Sequence, residues 1–254
     1  MALVLTDIAD TGVATVTLND PDRRNVFTSE LNVELIELFN DLEQNDNVGA
    51  AVITGAGPHF SAGGHLQDLL DAREDSDALR SIYDGFLQIA HTSLPTVAAV
   101  NGAAVGAGMN CALACDLIIA GTSSRFDSRF LQIAIHPGGG HTWRLRNKTD
   151  IQTLKAMVLF SEVLSGPRAA EVGLAWECVA DDDVVSRAQE LAAKAAAVPS
   201  GLMSRTKATI AQTDDVSSSP DAVTLELAPQ AWSMVQPEFE EFVSNLQSRI
   251  SSKS

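Results

Sequence analysis

The chain has 254 residues, a formal net charge of −16, 45% apolar and 20% charged residues. That is the balance of a soluble globular protein with length for one sizeable core. Its acidity sets it against nucleic acid and anionic membrane surfaces as partners, and no apolar run reaches the roughly 18 residues of a membrane span. The three cysteines (Cys111, Cys115, Cys178) follow no bridge or metal-ligand spacing. Residues 1–7 lack the basic start and apolar core of a secretion signal, so a cytoplasmic protein without a bound metal is expected.

Val13–Leu18 alternates β-branched and small residues and predicts a strand, closed by the turn Asn19-Asp20-Pro21-Asp22. Leu31, Leu35, Leu38, Phe39 and Leu42 recur at helical spacing, with Thr28 or Ser29 as N-cap. Residues 50–54 form a continuous apolar run, the pattern of a strand buried on both faces, before the breaker cluster Gly55-Ala56-Gly57-Pro58. Residues 60–66 make a small-residue turn into a helix. Leu79, Ile82, Tyr83, Phe86 and Ile89 predict one longer helix. Residues 95–100 and 117–120 are further buried strands. Strands alternating with helices imply parallel pairing, so the expected class is α/β. After Phe126 the character changes, and beyond the glycine-rich turn at residues 137–142 the chain reads as helical, with an apolar stripe at Val185, Ala188, Leu191, Ala192 and Ala195. A later helix begins near Asp221, and Pro229 is expected to bend or break it. The expected division is an α/β core over residues 1–195 and a helical region over 196–254.

The stretch Val100-Asn101-Gly102-Ala103-Ala104-Val105-Gly106-Ala107-Gly108-Met109-Asn110 leaves an apolar strand, turns on small residues and enters a second apolar run. A helix starting there presents unpaired N–H groups and the positive end of its dipole to the turn. That suits an anion, or an oxygen that becomes anionic during reaction; a tight strand-to-helix packing turn without ligand fits the same residues. Arg23-Arg24 is the most compact basic pair of the first half.

Several blocks in this order resemble the crotonase superfamily, the enoyl-CoA hydratase/isomerase fold. They are Ala51-Val52-Ile53-Thr54-Gly55 with Phe60-Ser61-Ala62-Gly63-Gly64, residues 100–116, and residues 126–145 with Pro137-Gly138-Gly139-Gly140 and Arg144. Leu164-Ser165-Gly166 with residues 169–174 matches a downstream pattern. The resemblance spans nearly the whole chain. It implies a spiral of β-β-α units with a C-terminal helical trimerisation region, assembled as a homotrimer or hexamer. It also implies an acyl- or enoyl-CoA thioester as ligand, with coenzyme A part of the substrate and no separate cofactor. By position, Gly64 and Ala107 supply the two backbone N–H groups of an oxyanion hole. Ala62, His65 and Leu66 fall on the substrate-binding turn, and Arg24 falls on the loop beside the nucleotide.

The family hydrates enoyl thioesters with two glutamates, a pair suited to general acid–base work. Here those positions are Asn110 and Phe130, and a third carboxylate position used in other branches is Gly138. Asn110 can orient a water or carbonyl through its amide, while Phe130 can pack or line an acyl pocket. His136, just before Pro137, is the candidate base, with His65 and His141 as the other nearby imidazoles. Asp127 and Arg129 either flank the pocket or pair at the surface, the surface being favoured, and Ser61 reads as a small turn residue. The C-terminal basic segment of the family is replaced by residues 242–247, with Arg249 and Lys253 further on. Two readings follow: an enzyme that stabilises a thioester enolate, or a non-catalytic acyl-CoA-binding protein on the same fold.

Overall fold

The apolar run at residues 50–54 lies at the heart of a six-stranded sheet in the computed structural model of the protein, which describes residues 2–251. The chain opens with an antiparallel pair, β1 (Val4–Ile8) and β2 (Val13–Leu18), followed by α1 (Ser29–Glu43). Thr28 caps α1, its hydroxyl accepting from the Leu31 amide at 3.2 Å. Next come β3 (Ala50–Gly55), β4 (His59–Ser61), α2 (Leu66–Asp71), α3 (Ser76–Ser81) and α4 (Asp84–His91). β5 (Thr96–Val100), β6 (Ala103–Val105) and α5 (Ala107–Ala114) follow, then β7 (Leu117–Gly121) and β8 (Arg125–Asp127). After α6 (His141–Lys148) and α7 (Ile151–Leu159) stand β9 (Leu164–Ser165), α8 (Gly166–Glu171), β10 (Glu177–Val179) and α9 (Val184–Ala196).

The large sheet has the order β1-β2-β3-β5-β7-β10, and a small sheet has the order β4-β6-β8-β9. From β2 through β10 the large sheet is parallel. β3, β5 and β7 lie in the large sheet and each is followed by a strand of the small sheet, β4, β6 and β8, which is the β-β-α spiral of the crotonase fold. The unbroken apolar character of β3 and β5 has a direct cause. Ala51, Ile53, Ala98 and Val100 pack into a core with α1, α4 and α5, whereas Ala50, Val52, Val97 and Ala99 pack against α9. A strand buried on both faces has no polar side to show.

The helix expected across Leu79 to Ile89 is two helices. The chain turns at Ile82–Tyr83, where Asn32 Nδ2 donates to the Ile82 carbonyl at 3.1 Å, and Leu79 stays exposed while Ile82, Phe86 and Ile89 are buried. The region beyond the glycine-rich turn at residues 137–142 is not purely helical either, since β10 completes the edge of the large sheet beside β7. In α9 the fully buried line is Val184, Ala188 and Ala192; Val185, Leu191 and Ala195 flank it, partly exposed.

The chain divides into two compact units, Met1–Ala197 and Val198–Ser254. The second contains α10 (Ser200–Gln212), α11 (Ser219–Met234) and α12 (Pro237–Ser251). Ser218 caps α11, and the helix continues through Pro229 rather than breaking there. No helix among the described residues is long and apolar enough to cross a membrane.

Candidate functional site

β4, β6 and β8 run parallel in the small sheet, with Ser61 beside Ala104 and Val105 beside Asp127. Their carboxyl ends therefore release three turns side by side, the end of a parallel sheet where ligands ordinarily sit. β4 leads into Ala62, Gly63 and Gly64, β6 into Gly106 and Ala107, and β8 into Ser128, Arg129 and Phe130. These turns, with Leu66, Leu69, Ile82 and Tyr83, enclose a cavity of 520 Å³.

The first two turns present backbone. Gly106 has φ +49° and ψ −110°, a conformation that a side chain resists, and its amide donates to the Asp127 carbonyl at 2.9 Å. This anchors the turn to β8 and starts α5 at Ala107. Phe27 bridges Gly64 in parallel, bonding the Gly63 carbonyl at 2.8 Å and the His65 amide at 2.9 Å. Both bonds pass Gly64 by. Among the described residues, neither the Gly64 nor the Ala107 N–H has a protein acceptor. The two turns touch, because a Cβ on Gly64 would lie 3.8 Å from that of Ala107.

The third turn presents side chains. Asn110, one helical turn beyond Ala107, is fully buried. Its Nδ2 donates to the Gly138 carbonyl at 3.1 Å, which turns Oδ1 to His141 Nδ1 at 2.7 Å. His141 Nε2 lies 2.8 Å from Ser128 Oγ, and its ring lies against Phe130 with centroids 4.9 Å apart. Burial, and secondarily the charge of Arg144, push the His141 pKa down to about 4. The imidazole is therefore neutral at pH 7. Since Asn110 Oδ1 can only accept, Nδ1 carries the hydrogen, and Nε2 accepts from the Ser128 hydroxyl. Arg144, its own pKa lowered by burial, donates to the Gly139 carbonyl.

Ala62, Gly64, His65, Leu66, Ala107, Asn110 and Phe130 all line the cavity. Arg24 does not. Its side chain is exposed, while its carbonyl accepts from the Ala62 amide at 2.9 Å. His136 is also off the cavity wall, exposed and bonded through Nδ1 to the Pro137 carbonyl at 2.8 Å. The histidine joined to Asn110 is His141, at the start of α6. His65 Nδ1 meets the Asp68 carboxylate at 2.7 Å. Asp127 and Arg129 do pair, with the carboxylate buried and the guanidinium exposed beside the cavity. Asp127 is 3% exposed and Arg129 lines the cavity, its Nε 2.8 Å from the carboxylate, which raises the guanidinium pKa. Gly138 has no room for a carboxylate, since a Cβ there would stand 2.2 Å from the Tyr83 hydroxyl oxygen. Ser61 is buried, its hydroxyl accepting from the Gly63 amide at 3.2 Å. Ser128 and Tyr83 were not legible as site residues, because neither sits in a recognisable spacing. Lys253 lies outside the described residues. No cluster of three metal-ligating His, Cys, Asp or Glu side chains occurs among those described.

The sequence matches the family model "Enoyl-CoA hydratase/isomerase" over residues 9–240. It is 43% identical over 237 residues to the probable enoyl-CoA hydratase EchA14 of Mycobacterium tuberculosis, covering 91% of this chain and 92% of that protein. It is 33% identical over 208 residues to the 1,2-epoxyphenylacetyl-CoA isomerase of Escherichia coli, covering 78% of each. Among solved structures, a putative enoyl-CoA hydratase/carnithine racemase from Magnetospirillum magneticum superposes with a TM-score of 0.88 at 28% identity, over 98% of this chain and 97% of that one.

Proposed function

Because the chain belongs to the enoyl-CoA hydratase/isomerase family, we propose that it binds an acyl- or enoyl-CoA thioester in the 520 Å³ cavity and stabilises the enolate of that thioester. The observation that carries this reading is the pair of unpartnered N–H groups at Gly64 and Ala107, adjacent on the cavity wall. Two donors fixed by the backbone need no reorganisation when charge develops on the thioester oxygen, and one such donor contributes about 3 kcal/mol in enzymes where it has been removed. Ala62, His65, Leu66 and Phe130 would border the acyl chain. Arg24, exposed and stitched through its backbone to Ala62, is the cation offered to the nucleotide phosphates. Coenzyme A belongs to the substrate and no further cofactor is invoked. We also propose that the protein is a homotrimer or hexamer acting in the cytoplasm.

One observation favours a second reading, a non-catalytic acyl-CoA-binding protein. No Asp or Glu stands among the described residues lining the cavity, so the proton transfers of enoyl hydration lack their usual pair of carboxylates. Calorimetric binding of saturated and unsaturated CoA esters, with turnover measured on the same panel, separates the two. The enzyme reading expects binding with turnover, both reduced in Gly64→Pro, which deletes one donor. Binding without any turnover leaves the binding-protein reading, and absence of binding removes both.

A further inference from the structure

The third turn of the cavity holds a constellation that the enolate reading does not use. Ser128 Oγ, His141 Nε2, His141 Nδ1 and Asn110 Oδ1 form one chain of hydrogen bonds, 2.8 Å and 2.7 Å long. The arrangement satisfies the geometric test for an activated nucleophile: a hydroxyl within reach of a base, and the base oriented by a third group. All three residues are fixed by burial, at 3% exposure for Ser128, 1% for His141 and 0% for Asn110. Of the serine and the histidine, Ser128 lines the cavity and His141 does not. The imidazole therefore reaches a ligand through the serine.

Position in the fold strengthens the case. Ser128 follows directly on β8, and β8 pairs with β6, whose end sets Gly106 and Ala107. A Cβ on Gly106 would lie 4.0 Å from the Ser128 carbonyl oxygen, so the hydroxyl-bearing turn adjoins the donor-bearing turn. Asn110 stands three residues after Ala107 on α5 and so shares its helix face. A nucleophile, its base, the orienting amide and a pair of backbone donors thus converge on one cavity.

We propose that Ser128, His141 and Asn110 form a relay for nucleophilic acyl transfer, giving this protein a thioester hydrolase activity toward acyl-CoA. The inference rests on the proposed binding of CoA thioesters and on the Gly64 and Ala107 donors. Ser128 Oγ bonds to the thioester carbonyl carbon as its proton passes to His141 Nε2. The carbonyl π pair moves onto oxygen, where the Gly64 and Ala107 N–H groups hold it. Collapse of this intermediate breaks the C–S bond, and the leaving thiolate takes the proton from His141, leaving an ester on Ser128. Water then attacks that ester, losing a proton to Nε2. The C–Oγ bond breaks, His141 reprotonates Ser128, and the carboxylic acid departs. The sum is thioester plus water giving acid plus free thiol, with no redox change. Asn110 is a positioning residue. Its Oδ1 holds Nδ1 protonated, so Nε2 keeps its lone pair for the serine, the role an asparagine fills beside histidine in papain-like proteases.

The test uses the full chain with a short-chain, a medium-chain and an aryl acyl-CoA. Free thiol release, calorimetric affinity and the intact mass of the protein are measured together. The proposal expects thiol release and an acyl adduct that maps to Ser128. In Ser128→Ala it expects the adduct to vanish and release to fall about 1,000-fold, with affinity nearly unchanged. His141→Gln, which retains a hydrogen-bonding side chain, should lose release in the same way. If that variant does not fold, the adduct map and Ser128→Ala still decide. Thioester binding with no thiol release, or release unaffected by Ser128→Ala, overturns the relay and leaves the binding reading standing. No binding of any CoA ester overturns both.

Discussion

The ends of β4 and β6 present backbone to the cavity, whereas the end of β8 presents side chains. Gly64 and Ala107 offer N–H groups that any small residue would offer, and what matters there is conformation, above all the φ of +49° at Gly106. Ser128 acts through its hydroxyl and through His141 and Asn110 behind it, so identity matters more than backbone shape. The contrast shows what the proposed oxygen site asks of the chain: turns that bind through backbone need only small residues, whereas the chemistry at Asn110 and Phe130 is set by the side chains themselves. A wall made of backbone tolerates substitution among small residues. A wall made of side chains changes its chemistry with each replacement.

The contrast can be broken most severely at Ala107. It is the first residue of α5, a position where proline fits the helix and removes only an N–H that is unpaired in any case. Ala107→Pro should lower thioester turnover about 100-fold, some 3 kcal/mol, while thermal unfolding shows almost no change. A variant that turns over normally would break the backbone half of the comparison.

His141 yields a pH prediction of similar size. Its folded pKa of about 4 lies below the ordinary 6.5. Well above pH 6.5 the histidine is neutral in both states and contributes no slope. Between 6.5 and 4 the unfolded chain takes up a proton that the folded chain refuses, so stability falls as pH falls, by about 3 kcal/mol at pH 4. Denaturant unfolding at pH 7 and pH 4 should show that loss in the native chain, and a shallower one in His141→Gln by about this amount.

The smallest effect sharpens the side-chain half. Asn110→Asp places a carboxylate on His141 Nδ1 and favours the imidazolium that forms when Ser128 is deprotonated. The Gly138 carbonyl, now accepting from Asn110 Nδ2, would lose its donor and oppose part of that gain. A net rise of about tenfold in thiol release is expected, and a fall would argue against His141 as the base.

Much of the frame was legible in the sequence, because its signals are local. Val13–Leu18 appears as a strand with the expected bounds, the run at 50–54 lies inside β3, and Thr28 caps α1 as its side chain suggested. The small sheet was hidden. β4, β6 and β8 are three residues each, too short to show a period, and two-residue β9 even more so. β10 disappeared in a stretch dominated by helical spacing. Asn32 splits the helix read across Leu79 to Ile89 from a distance of 50 residues, a contact no window can see. The backbone turns of the site were marked by their glycines and alanines. The side-chain relay was not, since Ser128, His141 and Asn110 meet only when β8, α6 and α5 fold together. His136 and His141 bracket Pro137-Gly138-Gly139-Gly140, and their order along the chain did not distinguish the exposed His136 from the buried His141.

The central claim is that a thioester oxygen sits between the Gly64 and Ala107 N–H groups, and the carbonyl stretch of a bound ligand reports on it most directly. Isotope-edited infrared spectra of a saturated acyl-CoA labelled with carbon-13 at the thioester carbonyl should show the band shifted to lower frequency on binding. Two polarising donors weaken the C=O bond, and Ala107→Pro should return much of the shift. A band at its solution frequency in the bound complex, or an equal shift in Ala107→Pro, would contradict the account.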